Sequence, residues 1–169
     1  MEKKTAPLPP PAFSAEAETR VPACESRKGA RVLVVEDEPT VARLIADVLE
    51  DEGMHVTVLL DGREALECAK RESYDLVICD MKMPGLDGQH FYKSLERDGN
   101  PLRERFLFVT GDIIGMQTRE FLERHQLPHV AKPFRIEELT EKVRAVLQQP
   151  NLHEPSAAEA SKKNAARNG

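Results

Sequence analysis

Leu76-Val77-Ile78-Cys79-Asp80-Met81-Lys82-Met83-Pro84-Gly85-Leu86-Asp87-Gly88 begins as a short apolar run, reaches an acid, and continues into a loop. The run, about residues 75–79, is apolar on nearly every residue, as expected of a central strand buried on both faces. The proline and two glycines after it demand a fixed turn before the next helix. The same arrangement recurs on either side. Glu36 and Asp37 follow Arg31-Val32-Leu33-Val34-Val35, Thr110 follows Phe106-Leu107-Phe108-Val109, and Lys132 follows His129-Val130-Ala131. If these runs are parallel strands, the acids, the hydroxyl and the lysine emerge at one edge of one sheet, where open α/β folds build their sites.

Between the runs lie segments with helical spacing. Pro39 stands at a plausible helix start, ahead of Val41, Leu44, Ile45, Val48 and Leu49, and Gly53 ends that helix. A second strand, about 54–59, passes through Asp61-Gly62 into a helix carrying Ala65, Leu66 and Ala69. Phe91 and Leu95 mark a third helix, and a fourth strand is expected at about 105–109 with a helix near 114–124. A short strand at about 128–131 is followed by a helix over about 135–148, with Ile136, Leu139, Val143, Val146 and Leu147 on one face. Five strand–helix alternations with short connections predict an α/β fold, a parallel sheet covered by helices on both faces.

The 169 residues suit one domain with flanking tails. Residues 1–29 hold five of the twelve prolines and little apolar periodicity, and residues 150–169 are similar, so both are expected to be disordered tethers around a folded unit of 30–149. A net charge of −5 without a Lys/Arg stripe argues against a nucleic-acid surface. The apolar runs are strand-sized, so no membrane span is expected, and with no signal-peptide pattern the expected location is cytoplasmic. Cys24, Cys68 and Cys79 lack metal-ligand spacing, and Cys79 reads as a small buried strand residue.

Two adjacent acids at one strand end and a third at its neighbour can together hold a hard divalent cation such as Mg²⁺, which accepts a few carboxylate or carbonyl oxygens plus water and phosphate. A carboxylate beside that cation is a feasible nucleophile toward phosphorus, and Asp80 is the candidate. The oxygens of a transferring phosphoryl group need positioned counter-charges, which the cation, Lys132 and Thr110 can supply.

These residues carry a family resemblance. Val34-Val35-Glu36-Asp37-Glu38-Pro39, the stretch Asp80 to Gly88, Val109-Thr110-Gly111 and Lys132-Pro133-Phe134 together resemble the receiver domain of two-component response regulators. The four pieces occur in order, with 43, 30 and 22 residues from Asp37 to Asp80 to Thr110 to Lys132, and the likeness spans residues 30–149. It implies a flavodoxin-like (βα)5 fold of strand order 2-1-3-4-5. Asp80 would be the phosphoacceptor, Asp37 a metal ligand, Glu36 an acid holding metal-bound water, and the Lys82 backbone carbonyl a further ligand of Mg²⁺. The donor would be a histidine kinase or a histidine phosphotransfer protein, and the output would pass to another, unknown protein without nucleic-acid contact. In such domains the threonine, here Thr110, moves toward the phosphoryl group and an aromatic residue turns inward behind it. His129 occupies that aromatic position.

Other readings compete. The chain could be the detached receiver of a hybrid sensor histidine kinase, or a module that binds its partner without phosphorylation. A phosphohydrolase of the aspartyl-phosphate type usually has a second acid two residues after the nucleophile, where this chain has Lys82. Asp112 and the Lys82 side chain are expected at the pocket mouth, where they would adjust phosphoryl lifetime. His55, His90, His125 and His153 share no spacing and read as surface residues, and Asp87-Gly88 reads as a tight turn.

Overall fold

A computed structural model describes residues 29–111 and 115–150. Five strands alternate with five helices: β1 (Arg31–Val35), α1 (Pro39–Asp51), β2 (His55–Leu59), α2 (Gly62–Arg71), β3 (Leu76–Asp80), α3 (Gly88–Arg97), β4 (Phe106–Thr110), α4 (Met116–Arg124), β5 (His129–Ala131) and α5 (Ile136–Gln148). The strands are all parallel in the order β2-β1-β3-β4-β5, the flavodoxin-like (βα)5 arrangement. β3 therefore sits at the centre, and all five of its residues are buried.

Each strand sends alternate side chains to opposite faces, which divides the core in two. Leu33, Val77, Cys79, Phe106 and Phe108 pack beneath α2, α3 and α4. Val32, Val34, Ile78, Leu107 and Val109 pack beneath α1 and α5. The first layer is aromatic. Phe106 and Phe108 stand 5.3 Å apart, and Tyr92 of α3 meets Phe106 edge-on at 5.3 Å and Phe121 of α4 at 5.6 Å. Burial of such rings stabilises by about 1.5–3 kcal/mol each, with aromatic geometry adding to it.

The structure corrects several expectations. Asp80 and Thr110 are the last residues of β3 and β4 rather than the first residues after them. Leu44 is 45% exposed and Ile136 47%, so neither belongs to the apolar face its helix buries. Their spacing fitted helical periodicity, but they fall beside the narrower stripes that α1 buries through Ala42, Ile45, Ala46 and Leu49 and α5 through Leu139, Val143, Val146 and Leu147. Asp87-Gly88 is a helix start rather than a tight turn: Asp87 caps α3, its Oδ1 accepting the amide of His90 at 2.8 Å. A short 3-10 turn, Pro101–Glu104, went unanticipated before β4. The tails expected at 1–29 and 150–169 lie, apart from Gly29 and Pro150, outside the described residues, as do Asp112, Cys24 and His153.

Candidate functional site

Parallel strands share a direction, so their C-terminal ends meet at one edge. β1 delivers Glu36 and Asp37, its neighbour β3 delivers Asp80, and Val35 lies in register with Cys79. On the other side Asp80 is in register with Val109 and Thr110 with Ala131, immediately before Lys132. The Lys132 amide donates to the Thr110 carbonyl at 2.8 Å, which prolongs that pairing into the loop. The Lys132–Pro133 peptide bond is cis.

Carboxylate oxygens of Glu36, Asp37 and Asp80 all lie within 4.8 Å of one another. Lys132 Nζ donates to Asp80 Oδ2 at 2.9 Å and stands 2.7 Å from Glu36 Oε2. Glu36 Oε2, buried, is thus held by the Lys132 ammonium alone among the described residues. Glu36 Oε1 accepts the Glu38 amide at 3.3 Å, and Asp80 Oδ1 accepts the Lys82 amide at 3.1 Å. Glu36 is 1% exposed and Asp80 7%, whereas Asp37 is exposed.

Burial pushes the Glu36 carboxyl above its ordinary range and the charge of Asp80 adds to this, while Lys132 and the Glu38 amide oppose it. Burial works against the Lys132 ammonium too, but its contacts with Glu36 and Asp80 outweigh it and raise its pKa. Among the described residues, three carboxylates gather around the Lys132 ammonium in a half-buried cleft. Three carboxylates gathered within 4.8 Å are a donor set that fits a hard divalent cation of the Mg²⁺ type.

Thr110 is 1% exposed at the end of β4. His129, half-buried, is in register with Phe108, and its Nδ1 lies 3.3 Å from the Leu127 carbonyl. The Lys82 side chain is exposed. His55 and His90 are exposed as expected, but His125 is not free surface: its ring packs 4.8 Å from Phe121 and 5.3 Å from Tyr92.

Two glycines lie closer to backbone than sequence reasoning foresaw, although Gly88 was read as part of a fixed turn. A Cβ on Gly88 would fall 2.5 Å from the Asp80 carbonyl oxygen, and one on Gly62 would fall 2.3 Å from the carbonyl oxygen of Leu86. Gly62 carried only the signal of an Asp-Gly helix start, which gives no hint of what lies against it.

Comparison with known proteins agrees with this geometry. The response regulator receiver domain family matches residues 32–144. Transcriptional regulatory protein TcrA of Mycobacterium tuberculosis is 32% identical over 138 residues, 82% of this chain but 54% of that protein. The chain thus spans about half the length of that relative. Sporulation initiation phosphotransferase F of Bacillus subtilis is 32% identical over 69% of this chain and 93% of its own. Among solved structures, the receiver domain of sensor histidine kinase PA1611 from Pseudomonas aeruginosa, with magnesium in its active site cleft, is similar at a TM-score of 0.64 and 26% identity, covering 72% of this chain and 99% of that one. The matched span holds every strand but the first residue of β1, together with the acids, the hydroxyl and the lysine assembled at the sheet edge, and the chain belongs to the response regulator receiver domain family.

Proposed function

We propose that this chain takes a phosphoryl group onto Asp80 from a phosphohistidine of a histidine kinase or phosphotransfer protein, and signals by binding a further protein. The observation that carries the reading is the Lys132 ammonium held between Asp80 and Glu36, with the Asp37 carboxylate alongside. Asp80 Oδ would attack phosphorus as the N–P bond to the donor imidazole breaks; the imidazole leaves with the bonding pair and takes up a proton. Lys132 and the Thr110 hydroxyl would meet the charge of the transferred oxygens. Asp37, Asp80 and the Lys82 carbonyl would hold Mg²⁺ with Glu36 behind them, and the cation would supply further positive charge at the phosphoryl oxygens. Thr110 and His129 are the proposed switch pair, residues 30–149 the receiver unit, and the cytoplasm the proposed location. Among the described residues no helix is long and apolar enough to cross a membrane.

The likeness to a sensor kinase's receiver favours a second origin for the same chemistry, the receiver portion of a hybrid kinase.

Incubation with acetyl phosphate and Mg²⁺, followed by intact mass, tests the proposal. A phosphate adduct that needs Mg²⁺ and is absent from Asp80→Asn is expected. A folded wild type that gains no adduct from any of several donors would overturn phosphoryl acceptance in favour of a partner-binding module.

A further inference from the structure

The loop between β3 and α3 presents the Lys82 amide to Asp80, so whatever holds that loop also sets the geometry of the cleft. Its far end is tied down by Gly88, whose amide donates to the Met81 carbonyl at 3.1 Å. Its middle contains Gly85 at φ +80, a backbone conformation with little intrinsic preference for one shape. Met81 and Met83 on either side of Lys82 are buried in the core, the Met81 amide donating to the Val109 carbonyl at 3.1 Å, and the Leu86 end of the loop is supported from outside. The first residue of α2, Gly62, is buried directly beneath the carbonyl of Leu86. At that separation any side-chain carbon would have to displace backbone rather than a flexible chain end.

The first turn of α2 is itself held in place. Asp61 Oδ1 accepts the amides of Arg63 at 2.8 Å and Glu64 at 3.0 Å, and these hydrogen bonds lower the Asp61 carboxyl below its ordinary range. Leu86 adds its side chain to the core cluster that also takes in Leu59 of β2 and Leu66 of α2.

We infer that Gly62, fixed by the Asp61 cap, is a positioning residue for the phosphoacceptor site: the first turn of α2 is the abutment that seats the Leu86 carbonyl, and through it the Lys82 backbone on Asp80. This inference takes its site from the proposed function and adds an element that touches neither cation nor phosphoryl group. α2 thereby becomes part of the machinery although it contributes no ligand.

Three variants test it, each read by hydrogen exchange at the Lys82 amide and by titration with Mg²⁺ alone. Gly62→Ala should weaken Mg²⁺ binding and speed Lys82 exchange. Asp61→Ala frays the first turn without a clash and remains informative if Gly62→Ala fails to fold; loss of the cap should speed Lys82 exchange and weaken Mg²⁺ binding. Asp61→Asn keeps the cap without the charge and should restore wild-type values, which a role in the cleft's electrostatics would not allow. An Ile45→Val control, in the opposite core layer, lowers stability and should leave both readouts unchanged. Wild-type Lys82 exchange and Mg²⁺ binding in Asp61→Ala and in any folded Gly62→Ala, or an Asp61→Asn as impaired as Asp61→Ala, would overturn the inference. Because Lys82 exchange needs neither cation nor phosphodonor, a wild type that binds no Mg²⁺ would sink the proposed function while leaving the abutment testable.

Discussion

Replacing Lys132 with methionine keeps the length of the side chain and deletes the ammonium that faces Glu36 at 2.7 Å and Asp80 at 2.9 Å. Two acids whose side chains are only 2% and 9% exposed then face each other, with Asp37 close by and no cation between them. Removing one partner of a buried ion pair costs about 3–5 kcal/mol, mostly as the penalty of the charge left behind. Lys132 is 22% exposed and the cleft opens on the Asp37 side, so the lower end applies. The variant should lose about 3 kcal/mol, or about 10 °C in Tm.

Urea melts at pH 7 and pH 5, each with and without Mg²⁺, measure this. Lys132 lowers the Glu36 pKa, so without it Glu36 rises further above its ordinary value of 4.5 and protonates more readily on acidification. The deficit should therefore shrink at pH 5. At the alkaline end the wild-type advantage, present below pH 10.5, should fade as pH rises through the lysine's raised folded-state value. Mg²⁺ should restore more stability to the variant than to the wild type, because it replaces the missing counter-charge. A deficit equal at both pH values and indifferent to Mg²⁺ would refute the electrostatic account and assign the lysine's contribution to packing of its stem.

Three further outcomes are expected. Glu36→Gln should raise stability at pH 7 by roughly 1 kcal/mol while weakening Mg²⁺ binding, since a site acid held charged against burial trades stability for function. Glu36's own contribution is present below pH 4.5 and lost as pH rises through its raised folded-state value, so the stabilities of wild type and variant should part as pH rises from 4.5 to that value, run parallel above it and converge below 4.5. Arg105, 7% exposed, donates to the carbonyls of Val146 and Gln149 at the end of α5, where the helix has no basic residue of its own. Arg105→Met should cost about 1–3 kcal/mol and speed amide exchange in the last turn of α5, and unchanged exchange there would show the clamp to be idle. Phe106→Ala should cost about 3–5 kcal/mol by opening a cavity beneath Phe91 and Tyr92, and a loss under 1 kcal/mol in chemical denaturation would mean that the aromatic layer collapses to fill it.

The order of elements and the gathering of Glu36, Asp37, Asp80, Thr110 and Lys132 at one edge could be read from the sequence alone. Apolar runs of strand length record burial on both faces, and parallel strands in one sheet present their C-terminal ends together, so position along the chain became position in space. Strand and helix ends carried less information, because a terminal residue such as Asp80 is polar whether it closes the ladder or follows it. Leu44 and Ile136 were misplaced for a related reason: periodicity gives the direction of a helix face but not the width of sheet beneath it. What only the tertiary structure decided are the contacts between segments distant in sequence. Lys132 bridging Glu36 and Asp80, Arg105 closing α5, His125 between Tyr92 and Phe121, and Gly62 beneath Leu86 all depend on distances across the fold. Such contacts leave no local pattern, because the residue type needed at one position is set by a neighbour that approaches only after the sheet has formed.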